Sequence, residues 1–386
     1  MINAKKNTVL LPLLFGLLNI CKFDAFSEAT DVFGKYDDRI QYYKLDDATN
    51  EKKWAQNKAY FKELASGVCL ITDPADITSD GGSTTKSRLY LYGTLSKAIS
   101  DKYNGTPTCD VLKFKNEFVV RISGTGSLID NRKVLTAKHV SDDIESGEKR
   151  VCVFNYYKET ETSLPSKWDS NKQQYYCVIN TSDIYPVAKV IHLSISGGRD
   201  WAVVELDKDV AATQKRLCYY KDTDIQDKIG VGSDGKELCA LGFPSGLPLT
   251  FTDDGRQTNK TGFLTDLDLF QGNSGCPILV APSADANNEY KYKIIALCSN
   301  GGTDWQLIKQ NDGGTVDNKP CDCYKEYYKG DPAINGGGSS KITSIPMLLN
   351  VPTVVIVVPF DIAISTEIVR KKETNLFIFP LLLIIC

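Results

Sequence analysis

From about Asn116 the chain is written in short apolar runs rich in β-branched residues, each broken by Gly, Asp, Asn or Ser. The runs are Phe118 to Ile122, Gly126 to Ile129, Val134 to Thr136, Val151 to Tyr157, Val187 to His192, Trp201 to Leu206, Cys239 to Gly242, Pro277 to Val280 and Lys293 to Leu297. Segments this short, with a turn signal at each break, read as strands of an all-β sandwich or barrel. Helical periodicity is nearly absent from the same stretch, which argues against parallel βαβ units. Residues 28 to about 112 differ: they are polar and tyrosine-rich, with a helix expected over Glu51 to Ala65 and turn-forming material at Ser79 to Thr85. They read as an extension and not as the reaction centre. At 386 residues the chain is long enough for two core-forming units, or for one two-barrel unit with extensions at its ends.

The N-terminus has the order of an export signal. Lys5 and Lys6 precede an apolar run from Val9 to Ile20, and Ala25-Phe26-Ser27 supplies small residues for cleavage after about Ser27. The expectation is a signal peptide over residues 1–27 and a protein secreted to an extracellular or periplasmic-type oxidising compartment. Of twelve cysteines, Cys21 lies in the signal and Cys386 is the last residue, leaving ten in the body, an even number consistent with disulfide pairing. The C-terminal stretch from Ile345 to Ile364 is mostly apolar and is followed by Arg370, Lys371 and Lys372. Its prolines at 346, 352 and 359, with Asn350 and Asp361, disfavour a membrane-spanning helix, so membrane attachment through this tail is the less favoured alternative. A net charge of -3 with interspersed signs gives no footprint for nucleic acid. Cys321-Asp322-Cys323 is not spaced as a zinc site and has no histidine beside it, so no metal and no cofactor are expected.

Only two histidines are present. His139 follows the apolar run Val134-Leu135-Thr136-Ala137, which itself follows the Gly-rich Ser123-Gly124-Thr125-Gly126-Ser127. A histidine at a strand end can project into a cleft where a general base is wanted. Lys138, its neighbour, is expected on the opposite face of that strand. Asp200 opens the alternating run Trp201 to Leu206, where a carboxylate can accept an imidazole hydrogen and fix its tautomer. His192 ends another run and reads as structural. The strongest signal is Gln271-Gly272-Asn273-Ser274-Gly275-Cys276-Pro277. Serine is a poor nucleophile without a base, and the attacked carbonyl needs donors aimed at its developing charge. Flanking glycines let the amides of Gly272 and Ser274 converge as an oxyanion hole. The three residues occur in the order His, Asp, Ser, separated by 200 − 139 = 61 and 274 − 200 = 74 positions. That is the order of the chymotrypsin-like arrangement and not of the subtilisin or α/β-hydrolase ones.

Here the sequence resembles the trypsin-like serine peptidases, and more closely their bacterial-type secreted branch with Gly-Asn-Ser-Gly around the nucleophile. The likeness runs from about Asp37-Asp38-Arg39 through Gly242-Phe243-Pro244-Ser245-Gly246 and Phe263 to Phe270, as far as Ile345. It implies an all-β fold of two six-stranded antiparallel barrels with the triad in the crevice between them. The peptidase domain would span 113–345, with barrel 1 at about 113–225 and barrel 2 at about 226–345, flanked by an extension at 28–112 and an apolar tail at 346–386. The implied activity is that of a serine endopeptidase on protein or peptide substrates. The resemblance makes Ser299-Asn300-Gly301 the segment that pairs with the substrate backbone, with Gly301 leaving the specificity pocket open. It places Asp268, six residues before the nucleophile, at the base of that pocket, which implies preference for Arg or Lys at the cleaved position. The alternative for Asp268 is a solvent-facing turn residue. Glu-specific relatives have a histidine where this chain has Ser299. Asn273 stands where zymogen-activated relatives have an aspartate that pairs with a newly cut ammonium, so that mode of activation is not expected. Val140 and Gly124 stand where animal relatives have a first-barrel disulfide. In the inferred second barrel Cys276 and Cys298 lie close enough to bridge or pack together. The rival functions are a catalytically inactive homologue acting as a binding module and an ester hydrolase using the same triad.

Overall fold

The computed structural model describes residues 32–33, 39–46, 54–160, 166–194, 200–221, 224–259, 263–282, 285, 287, 289–300, 304–326, 328–329 and 340–344. The expected signal segment, the apolar tail, Gly301, Cys21 and Cys386 lie outside these residues.

Six strands close into an antiparallel barrel in the order Val151–Phe154, Ile184–Leu193, Ala202–Leu206, Lys133–Thr136, Gly124–Asp130 and Val68–Thr72, the last pairing back onto the first. Alternation along each strand sends one set of side chains inward. Cys69 and Ile71, Val134, Cys152 and Phe154, and Val204 and Leu206 fill the barrel with Leu128 and Tyr185. The opposite set is apolar too: Val68, Leu70, Leu135, Val151, Val153 and Val203 pack with Leu241, Phe243, Phe251, Leu279 and Leu297 of a second sheet. Burial on both faces is why these strands read as continuous apolar runs instead of alternating ones.

One strand of this barrel, Val68–Thr72, lies in the segment that the sequence reading set aside as an extension. The first barrel therefore starts well before residue 113. All five of its residues are buried, and it holds the barrel shut between Gly124–Asp130 and Val151–Phe154. The helix expected just upstream is present over Trp54–Ala65. The turn material at 79–85 joins strands Ile77–Ser79 and Lys86–Tyr90, which form a separate four-stranded sheet with Lys167–Asp169 and Gln174–Asn180.

The second unit is an eight-stranded sheet in the order Gln257–Asn259, Leu264–Thr265, Ser340–Ser344, Ala296–Asn300, Pro277–Val280, Leu238–Gly242, Thr250–Gly255 and Ile40–Gln41. Among the described residues it does not close into a second six-stranded barrel. Its other face packs Leu238, Ala240, Cys276, Ile278, Val280, Ala296 and Cys298 into a core of their own.

Pairing of all the body cysteines is not what the structure has. Cys109 and Cys323 form a disulfide, while eight other described cysteines are thiols. Cys276 and Cys298 do pack together in one buried core, as do Cys69 and Cys152 in another. Both pairs are buried among apolar side chains, where cysteine serves as a small hydrophobe, and burial pushes the thiols of Cys69 and Cys276 up.

Candidate active site

His139 is not at a strand end. The chain leaves strand Lys133–Thr136 through Ala137 and turns at once into the helix Lys138–Glu145, so His139 sits in its first turn. Lys138 is correspondingly on that helix, where it pairs with Asp142 one turn later at 3.0 Å. The register explains why Asp200 meets His139. Ala202 pairs with Thr136, so Asp200, two residues before Ala202, lies just past the end of the partner strand, where the chain turns into the helix that carries His139. The Asp200 carboxylate meets the helix at its open end. Its Oδ1 accepts the backbone N–H of His139 at 2.9 Å, one of the first-turn amides that a helix cannot satisfy itself. Its Oδ2 lies 2.6 Å from His139 Nδ1 and accepts from Ser299 Oγ at 2.6 Å.

Burial works to raise the Asp200 carboxyl, but the bonds from the His139 ring, Ser299 and the His139 amide outweigh it and hold it at about 2. At neutral pH the group is an anion and only accepts, so the hydrogen in the 2.6 Å contact belongs to His139 Nδ1. A neutral imidazole held this way keeps Nε2 as its basic nitrogen. The role of Ser299 as an anchor for Asp200 was not read from the sequence. Its strand, Ala296–Asn300, pairs with Ser340–Ser344 with an irregularity between Cys298 and Asn300.

Ser274 lies on a turn docked against the barrel. Gly272 has φ +97° and Gly275 φ +84°, a region that side chains rarely adopt. A Cβ on Gly275 would lie 2.3 Å from both Thr125 O and Thr136 Oγ1 and 2.7 Å from Ala137 N, so nothing larger than glycine fits where the turn presses on the segment leading into His139. The carbonyls along the turn are all held. Phe270 O accepts from Asn273 N at 2.9 Å, Gln271 O from Ser245 N at 2.5 Å, Asn273 O from Cys276 N at 2.7 Å and Ser274 O from Thr125 N at 2.8 Å. Gly272 O accepts from Thr125 Oγ1 at 2.8 Å. A trans peptide points its N–H opposite its C=O, so bonding the carbonyls of Gln271 and Asn273 aims the amides of Gly272 and Ser274. Neither of those two amides donates to an acceptor among the described residues, whereas Asn273, Gly275 and Cys276 all do. The turn thus presents two open donors beside a serine that is 8% exposed.

Asp268 is buried and does not face solvent, which removes the turn-residue alternative. It borders a gap too narrow for a water molecule, together with Gly242, Pro244, Asn273 and Arg39. Arg39 is itself buried, with its guanidinium 3.7 Å from the centre of the Phe270 ring. The surroundings of Asp268 therefore already include a cation of this chain, a feature that the sequence reading missed. Val140 and Gly124 face each other: a Cβ on Gly124 would fall 2.5 Å from Val140 Cγ2 and 2.9 Å from Ser274 O. His192 is exposed on the barrel strand that pairs with Ala202–Leu206, where it stands opposite Val203.

No protein-family model matches this chain, and no curated protein matches it.

Proposed function

We propose that the chain is a secreted serine endopeptidase of the chymotrypsin-like class, with His139, Asp200 and Ser274 as its triad. The observation that carries this reading is one juxtaposition. An ionised Asp200 bonded to His139 Nδ1 stands at the barrel edge against which a glycine-flanked serine turn with two open amides is docked. In the reaction His139 Nε2 takes the Ser274 hydroxyl proton as Oγ attacks the peptide carbonyl. The Gly272 and Ser274 amides receive the oxyanion, and protonated His139 then gives its proton to the leaving amine. Water, activated by the same imidazole, releases the acyl group. The crevice between the closed barrel and the eight-stranded sheet would hold protein or peptide substrates. The signal-like N-terminus and the Cys109–Cys323 bridge support an oxidising compartment.

A fluorophosphonate should label the wild-type protein at Ser274 and leave Ser274→Ala unlabelled, with kcat on a denatured protein substrate falling by about 10⁴ or more. A folded wild-type protein that neither labels nor cleaves would instead be the inactive binding module. Turnover of a simple ester with no cleavage of any polypeptide would point to the ester hydrolase.

Preference for Arg or Lys at the cleaved position rests on the Asp268 carboxylate. A second reading is favoured by Arg39: with a buried guanidinium lining the same narrow gap, which has no room for water, Asp268 serves as a structural anion and leaves substrate cations less to gain. A fluorogenic panel varied at that position separates the two. Cleavage after Arg and Lys that is lost in Asp268→Ser supports the first, and a preference unaltered by Asp268→Ser supports the second.

A further inference from the structure

Building on the proposed protease reading, we infer that Thr125 is a positioning residue for the oxyanion turn, its hydroxyl setting the direction of the amides that flank the Gly272–Asn273 peptide.

Thr125 sits in the barrel strand Gly124–Asp130 and is completely buried. Its three polar groups reach three parts of the site. The backbone N–H donates to Ser274 O at 2.8 Å. The Oγ1 donates to Gly272 O at 2.8 Å and accepts from Phe243 N at 3.4 Å. The carbonyl accepts from Thr136 Oγ1 at 2.7 Å, on the strand that runs into His139. One buried residue therefore joins the nucleophile, the turn that carries the open amides and the approach to the base.

The hydroxyl is the part that any β-strand could lack. The bond from Thr125 N to Ser274 O is a backbone contact available to every residue type except proline. The bond to Gly272 O is not. Gly272 and Ser274 flank the Gly272–Asn273 peptide, and the plane of that peptide fixes the angle between the two donors. Gly272, with φ +97°, lacks the steric restraint that a side chain would impose, so its carbonyl is held by hydrogen bonding alone. The Phe243 amide on Oγ1 in turn directs the hydroxyl hydrogen toward Gly272 O. Without the hydroxyl the buried Gly272 carbonyl is left unsatisfied and the Gly272–Asn273 peptide keeps only the bond from Asn273 N to Phe270 O, so the peptide tilts toward another donor and turns the flanking amides away from a shared focus.

The test compares wild type, Thr125→Val, Thr125→Ser and Thr125→Ala. Valine keeps the shape and both backbone bonds and removes only the hydroxyl, whereas serine keeps the hydroxyl. The expected result is a fall of about tenfold in fluorophosphonate acylation and in peptide kcat for Thr125→Val, with KM within about twofold of wild type, and recovery to within about threefold in Thr125→Ser. Amide hydrogen exchange over residues 270–276 should be about tenfold faster in Thr125→Val than in Thr125→Ser. Thr125→Ala reads the same quantities if the valine protein does not fold. Acylation and exchange in the valine or alanine protein equal to wild type would overturn the inference, and so would a serine protein as impaired as the valine one. If wild type itself fails to react with fluorophosphonate, the protease reading falls, while the exchange comparison still decides the role of Thr125.

Discussion

Asp200 gathers three hydrogen bonds, from the His139 amide, the His139 ring and Ser299, so its protonation should be visible in both stability and catalysis. Its folded value of about 2 lies below the ordinary 3.8. A carboxyl depressed by folding stabilises the native state above the ordinary value and loses that contribution as pH falls through the folded one. The difference is worth roughly 2 kcal/mol at neutral pH. Asp200→Asn should therefore lower urea-unfolding stability by about that amount at pH 6, with the gap to wild type closing between about pH 4 and pH 2. A gap independent of pH would mean that the charge of Asp200 is not what the bonds stabilise. On the protease reading the same variant should lose about 10⁴ in kcat at neutral pH, because an amide at Asp200 that donates to Nδ1 favours the wrong imidazole tautomer.

At the scale of elements, the site is a matter of how short segments end. The helix Lys138–Glu145 is only two turns long and follows a strand almost directly, too brief for a helical period to emerge from the apolar pattern. His139 was legible in the sequence as a candidate base, but its setting was not. Strand Val68–Thr72 escaped notice for a related reason: Val-Cys-Leu-Ile-Thr is buried on both faces and shows no alternation, and it stands among polar, tyrosine-rich segments. The nucleophile turn was the most legible element, since Gly272 and Gly275 announce a backbone that side chains cannot follow. What holds that turn was illegible. Thr125, Ser245 and Ser299 reach it or Asp200 across sequence separations that no local pattern encodes, and Arg39 comes to Phe270 from the far end of the chain. Disulfide pairing failed to follow from cysteine number because it depends on which thiols meet in space. Those of Cys276 and Cys298 meet without bonding, while Cys109 finds Cys323.

For the whole molecule, the Cys109–Cys323 bridge joins positions 214 residues apart and ties the helix Leu95–Lys102 region to strands Trp305–Ile308 and Cys323–Glu326. Tyr103 stacks on Tyr324 at 4.1 Å beside it, and Cys109 N donates to Tyr324 O at 2.8 Å. Closing so long a loop removes much of the freedom of the unfolded chain, worth about 5 kcal/mol in the entropy picture and typically 2–5 kcal/mol when a native bridge is removed. The paired variant Cys109→Ala and Cys323→Ala should melt well below wild type, and adding a reductant should lower the melting temperature of wild type toward it while leaving the variant unmoved. Equal melting temperatures for the two proteins would show that aromatic stacking alone secures this corner.

Because His139 and Asp200 belong to the closed barrel while Ser274 and Ser299 belong to the sheet, the bonds from Ser299 to Asp200 and from Thr125 to Ser274 cross the seam between two units that share one core and each have another of their own. On the protease reading this division is a safeguard during biosynthesis. A chain emerging from the ribosome presents the base long before the nucleophile, and Ser299 arrives later still. A half-made or half-folded molecule has no assembled triad with which to attack itself or its neighbours, so destructive capacity appears only with the last act of docking.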